Sequence, residues 1–151
     1  MTTRAAAPDD VSALAQVAEA AGLFPADMMA DMIAPALAGG SDIWRVAAGE
    51  GDAPQGFAFA RKEEMTDGVW NLLALAVHPK AQGKGHATDL LHDVEDRLRD
   101  MKARMILIDT TQRAEQAAAR AFYAKAGYQH VATISDFYTL GEDKLSYVKV
   151  L

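Results

Sequence analysis

Val69-Trp70-Asn71-Leu72-Leu73-Ala74-Leu75-Ala76-Val77, running on into His78-Pro79-Lys80-Ala81-Gln82-Gly83-Lys84-Gly85-His86-Ala87, is the stretch on which the fold turns. The run Val69–Val77 is almost wholly apolar, the pattern of a central strand buried on both faces. Pro79 stops it, and a glycine-bearing loop leads into a helix predicted from Gly85 to Met101. Ala87, Leu90, Leu91, Val94, Leu98 and Met101 recur there at helical spacing, with Asp89, Asp93, Asp96 and Arg97 opposite. Met105–Ile108 reads as a second buried strand. Buried strand, glycine turn, amphipathic helix, buried strand is the unit of an α/β domain.

The flanks extend this core. Arg4–Ala7 is strand-like, and Pro8-Asp9-Asp10 starts a helix with an Asp cap and Val11, Leu14 and Val17 on one face; Gly22 closes it. A second helix is expected over Asp27–Leu37, with Met28, Met32, Ile33 and Leu37 as its apolar stripe. Ile43–Ala48 and Gly56–Arg61 form a hairpin around the turn-rich segment Gly49–Pro54. A late helix over Glu115–Ala126 ends at Gly127, and Tyr128–Thr133 and Leu145–Val150 are the last strands. Strands alternating with helices, with hairpins at both ends, indicate an α/β or α+β domain with a mixed sheet. The 151 residues fit one domain spanning the chain.

Composition removes several function classes. Lys and Arg number 15 against 21 Asp and Glu, a net charge of −6, so the basic footprint of a general nucleic-acid binder is missing. No cysteine is present, which excludes disulfides, thiolate zinc sites and cysteine nucleophiles. No stretch has signal-peptide or membrane-spanning length, so a cytoplasmic protein without a membrane partner is the expectation.

The loop carries the clearest chemistry. Glycines turn the backbone tightly and present consecutive N–H groups, the helix N-terminus adds positive partial charge, and Lys80 and Lys84 add full charges. Phosphate or pyrophosphate binding follows. Two better-known phosphate motifs fail: Gly83-Lys84 is followed by Gly85 rather than Ser or Thr, and Thr88 stands where a dinucleotide fingerprint has its third glycine. On composition alone, a plain strand-to-helix turn accounts for the loop equally well.

Spacing separates the two readings. Gln82-x-x-Gly85-x-Ala87, after a buried strand ending in Val77-His78-Pro79, resembles the acyl-CoA signature of the GCN5-related N-acetyltransferases. The segment Gln116 to Tyr128, with Phe122-Tyr123-Ala124-Lys125-Ala126-Gly127-Tyr128, resembles that family's later signature, and the ending Asp136 to Leu151 is similar to the tail of many bacterial members. The resemblance is strong from Val69 to Leu151 and weaker before Ile43. It implies a mixed sheet of about seven strands with helices on both faces, whose two central parallel strands splay apart. Acetyl-CoA would be the co-substrate: its pantetheine arm along the backbone of Leu75, Ala76 and Val77, its pyrophosphate on Gln82, Gly83, Lys84, Gly85, His86 and Ala87. Gln116 stands where the family more commonly has Asn, which retains an amide but changes the usual cofactor contact.

The implied reaction is direct acetyl transfer to an amine. Tyr123 matches the family's position for the acid that protonates the leaving thiolate, and a phenol of pKa about 10 is suited to that task. A backbone N–H of the splayed strand would hold the oxyanion. The base is less evident, because Asn71, Leu73 and Leu75 leave the central strand without a carboxylate. Glu64 is the first candidate, a water wired to Asn71 is an equal one, and Glu63, Asp109 and Asp136 follow. Trp70, Phe24, Phe137 and Tyr138 are candidate walls of an acceptor pocket. Asp89, His92, Asp93 and Asp96 share a helix face that reads as solvated, with Glu95 and Arg99 as a surface pair, and no metal is expected. The acceptor would be a small-molecule or peptide amine, and a homodimer is compatible with the family. A non-catalytic CoA-binding module of the same fold is the alternative. A transferase acting on charged tRNA would need a basic docking face that the sequence does not show.

Overall fold

The computed structural model describes residues 2–151. Seven strands form one sheet in the order β1-β2-β3-β4-β5-β7-β6. They are β1 (Thr2–Ala5), β2 (Ile43–Ala48), β3 (Pro54–Lys62), β4 (Val69–Val77), β5 (Met105–Thr111), β6 (Gln129–Thr139) and β7 (Glu142–Val150). All neighbours are antiparallel except β4 and β5. That parallel pair joins only Val69–Met105, Trp70–Ile106 and Asn71–Leu107. Beyond Asn71 the pairing of the two strands ends, in keeping with the splay that the resemblance implies.

Two cores hold helices to opposite faces. Leu14, Val17 and Ala18 of α1 (Val11–Ala20) and Met29 and Ile33 of α2 (Met29–Leu37) pack on Trp44, Val46, Phe57, Phe59, Ala74 and Ala76. Trp44 stacks on Phe59 at 4.2 Å between ring centroids. On the other face Leu90, Leu91, Val94 and Leu98 of α3 (His86–Asp100) and Tyr123 of α4 (Ala117–Lys125) cover Ala58, Ala60, Trp70, Leu72, Ile106 and Ile108. Alternation along β3, Phe57 and Phe59 one way and Ala58 and Ala60 the other, is the ordinary pleat.

β4 breaks that alternation. Trp70 and Leu72 lie in one core while Ala74 and Ala76 lie in the other, although all four have the same parity. A bulge resolves it: Phe59 pairs with Ala74 and Ala60 with Leu72, so Leu73 is an extra residue on β4 and is 45% exposed. The strand is thus not apolar on both faces throughout. Asn71, whose neighbours Trp70 and Leu72 face α3 and α4, points to the α1/α2 face.

Other expectations need correction. A short 3-10 turn at Ala26–Met28 precedes α2 and advances its phase, so Met29 and Ile33 are buried while Met28 and Leu37 are exposed. The first strand is Thr2–Ala5 rather than Arg4–Ala7. Asp10 caps the first helical turn by accepting from the Ala7 N–H at 2.8 Å, and Arg4 pins its other side. β5 runs on to Thr111, so Asp109 is a strand residue rather than a loop residue. Glu95 is not a surface residue: it is 2% exposed and accepts from Tyr128 Oη at 2.8 Å and Lys149 Nζ at 3.1 Å. Arg99 pairs with Asp96 instead. Asp93, read as solvated, holds the buried Arg45 of β2. Trp70 is core, and Phe24 packs edge-on against Phe57 with 6.4 Å between ring centroids. Among the described residues no helix is long and apolar enough to cross a membrane.

Candidate active site

The loop after β4 is built as an anion cradle. His78 Nδ1 accepts from the Lys80 N–H at 3.1 Å and starts the 3-10 turn Pro79–Ala81. Gln82 Nε2 donates to the Val77 carbonyl at 3.2 Å, bracing the loop against the end of β4. Gly83 and Gly85 then take φ of +79° and +87°, a region side chains resist. The first helical bond of α3 runs from the Asp89 N–H to the Gly85 carbonyl at 3.0 Å, and no side chain caps the helix. The N–H groups of His86, Ala87 and Thr88 therefore precede the ladder, with the positive end of the helix behind them.

These groups open onto a cleft of about 480 Å³. Leu75, Val77, Gln82, Gly83, Gly85, His86, Ala87 and Tyr123, all singled out from the sequence, line it together with Ala81, Thr88, Ala118, Ala119 and Phe122. His86 is 6% exposed and its Nδ1 has no partner. The free backbone N–H groups at the start of α3 suit a ligand with many phosphate oxygens. The donor set therefore fits a CoA thioester: N–H groups for the pyrophosphate, and the unpaired edge of β4 for the amides of the arm.

Not every candidate comes to this cleft. The Ala76 side chain packs against α1 and α2, leaving only its backbone for a ligand. Lys84 lines an adjoining hollow with Glu50, Gln55 and His86. Gln116 is exposed at the start of α4 and does not line the cleft. Tyr123 is 9% exposed, and burial pushes its hydroxyl pKa up to about 12, so it stays protonated across the neutral range.

The remaining candidates gather on the α1/α2 face, where a second depression runs past Arg61, Lys62, Glu63, Glu64, Asn71 and Leu73. Asn71 Nδ2 donates to Glu63 Oε1 at 3.0 Å and approaches Asp109 Oδ2 at 3.4 Å. Glu64 lines the same depression but is exposed, whereas Glu63 is half-buried. Ser146, paired across the sheet with Asp109, donates to its Oδ1 at 2.6 Å, and Lys144 Nζ lies 3.6 Å from Oδ2. Ser146 and Lys144 were not legible as site residues, because only the β5–β7 register brings them to Asp109. Asp136 instead closes the β6–β7 turn, accepting from the Gly141 N–H at 2.7 Å. Among the described residues no three His, Asp or Glu side chains are grouped to hold a metal ion.

Comparison with known proteins agrees with this geometry. The model of the acetyltransferase (GNAT) family matches residues 14–128. A GNAT-family protein from Desulfovibrio desulfuricans superposes with a TM-score of 0.90 at 27% identity, over 99% of this chain and 98% of that one. The ribosomal-protein-S18-alanine N-acetyltransferase of Escherichia coli gives 0.79 at 20% identity, over 99% and 92%. A Salmonella typhimurium protein solved with acetyl-CoA as its cofactor gives 0.78 at 20% identity, over 99% and 93%. These last two likenesses speak to the fold alone. No curated protein matches the sequence. With its family model covering most of the chain and its splayed strands opening on a cradle for a CoA thioester, the chain belongs to the acetyltransferase (GNAT) family, N-acetyltransferases whose co-substrate is acetyl-CoA.

Proposed function

We propose that the protein transfers acetyl from acetyl-CoA directly to an amine of a small molecule or peptide. The observation that carries this is the parting of β4 from β5 beyond Asn71 and Leu107. A cleft lies on the α3/α4 face and a depression lined by Glu63 and Glu64 on the other, with the split strands between them. A thioester entering from one side and an amine from the other would meet at the unpaired edge of β4, with no covalent enzyme intermediate needed.

The bond changes balance as follows. The acceptor arrives as R–NH3+ and releases one proton to solvent by way of a carboxylate or bound water on the Asn71 side. The free amine attacks the thioester carbon, the N–C bond forms, and the oxyanion is held by an unpaired N–H of β4. Collapse breaks the C–S bond while nitrogen sheds its second proton. Tyr123 gives its proton to the departing sulfur and recovers the one nitrogen lost. The products are the acetamide, the CoA thiol and one net proton.

Tyr123 suits this role because its hydroxyl remains protonated and it lines the cleft. The test is thiol release from acetyl-CoA with a panel of amines, for wild type and Tyr123→Phe. The variant should lose about a hundredfold in kcat with KM for acetyl-CoA nearly unchanged, within the range general acids supply. Undiminished turnover would remove Tyr123 from the mechanism. Acetyl-CoA binding with no turnover on any amine would favour a non-catalytic CoA-binding module.

A further inference from the structure

Lys144 is a primary amine that the fold itself carries to the parting of β4 and β5. It stands on β7 opposite Thr111 of β5 and Ile134 of β6, so its backbone is paired on both sides. Its side chain runs back toward the parting: Nζ lies 3.6 Å from Oδ2 of Asp109, a residue nearer than Thr111 to the last β4–β5 pair, Asn71–Leu107. The same Oδ2 is 3.4 Å from Asn71 Nδ2, so one carboxylate oxygen stands between the Lys144 ammonium and the residue where β4 loses its partner. The Phe137 ring lies against the ammonium, its centroid 4.5 Å from Nζ, and the side chain is 22% exposed. An amine already held in place has little freedom left to lose on reacting. The other six lysines are placed differently. Lys149 is tied to Glu95 and the Ala126 carbonyl, Lys80 and Lys84 stand in the loop after β4, and Lys102 and Lys125 lie just past α3 and at the end of α4. Lys62 lines the depression beside Asn71 but is exposed.

We propose that Lys144 is a site of self-acetylation, taking acetyl from acetyl-CoA bound to the same molecule when no external amine is present. The inference rests on the acetyl-transfer reading and adds to it a modification of the protein itself. The Lys144 ammonium gives one proton to solvent by way of Asp109. Nζ then attacks the thioester carbon and an N–C bond forms. The C–S bond breaks, and the second proton of nitrogen passes to the departing sulfur. The products are Nζ-acetyl-lysine, the CoA thiol and one net proton. The new amide carries no charge, so Asp109 and the Phe137 ring lose the cation they share, and Asn71 and Ser146 remain as the partners of Asp109.

The experiment incubates the purified protein with acetyl-CoA and no amine, digests it, and follows acetylation at each of its seven lysines by mass spectrometry. Lys144 should be modified about tenfold or more faster than any other lysine, at a rate per molecule that does not change with protein concentration, as transfer within one molecule requires. Excess CoA should slow the modification, and the chain unfolded in urea should lose the preference. No preference for Lys144, a preference that survives unfolding, insensitivity to CoA, or a rate that rises with protein concentration would each overturn the proposal. The same preparation is then given external amines and thiol release is followed. Turnover of an amine with Lys144 unmodified would remove this inference alone. Neither amine turnover nor modified Lys144 would remove the acetyl-transfer reading with it.

Discussion

Tyr123 shows how one burial shapes both reactivity and stability. Its ring packs edge-on against those of Phe122 and Tyr128, with centroids 5.6 Å and 6.0 Å away, and desolvation pushes its hydroxyl pKa up to about 12 from the ordinary 10.0. The folded protein therefore keeps a proton that the unfolded chain releases, so stability is whole below pH 10 and is lost as pH rises toward 12. Two units correspond to roughly 3 kcal/mol. Tyr128 moves the same way, through burial and its hydrogen bond to Glu95, and adds to the loss. Denaturant titrations at intervals from pH 9 to 12 should show this decline, with Tyr123→Phe flattening part of it. An identical slope in wild type and variant would contradict the burial argument.

Helix α3 carries the largest element-level consequence. Glu95 lies on the same stripe as Leu91 and Leu98, and its carboxylate ties the helix to Tyr128 and to Lys149 of β7, whose Nζ also donates to the Ala126 carbonyl at 2.9 Å. Removing one partner strands a buried charge, which costs about 3–5 kcal/mol. Lys149→Met should destabilise by about that much, measured by urea unfolding, and a loss under 1 kcal/mol would show that the pair is not the staple it looks to be. The sequence reading placed Glu95 on the surface with Arg99, because the partners that make its burial tolerable arrive only when β7 returns to the sheet. The same division holds elsewhere. Val69–Val77 and the glycine loop were legible because each is a local pattern with a local cause, whereas Tyr123 was singled out through the resemblance of its segment to a family signature. The Leu73 bulge was not, since both its neighbours are apolar and only pairing with β3 reveals the extra residue. The phase of α2 escaped for a related reason: a 3-10 turn has three residues per turn, so Met29 rather than Met28 meets the core. Glu64 was preferred to Glu63 on the sequence, yet Glu63 is the one that accepts from Asn71, a contact made only when β3 and β4 are paired.

At the scale of the molecule, two cores grip opposite faces of one sheet, and the sheet is incomplete where its parallel strands part. An acidic chain with net charge −6 keeps its positive potential local, in backbone N–H groups and the start of α3. The account stands on the cofactor sitting there. Thr88 occupies the third position of α3, lines the cleft and is exposed. A carboxylate at that position suits a helix N-terminus but repels a pyrophosphate. The measurement that bears most directly on the account is therefore thermal unfolding of wild type and Thr88→Glu, each with and without acetyl-CoA at a hundred times the wild-type dissociation constant. Wild type should gain about 2.7 kcal/mol, roughly 5–10 °C for a chain of this length, while Thr88→Glu unfolds no lower than wild type in the absence of ligand and shows little or no shift. An equal shift in both proteins would place the pyrophosphate elsewhere, and no shift in wild type would contradict the cofactor site altogether.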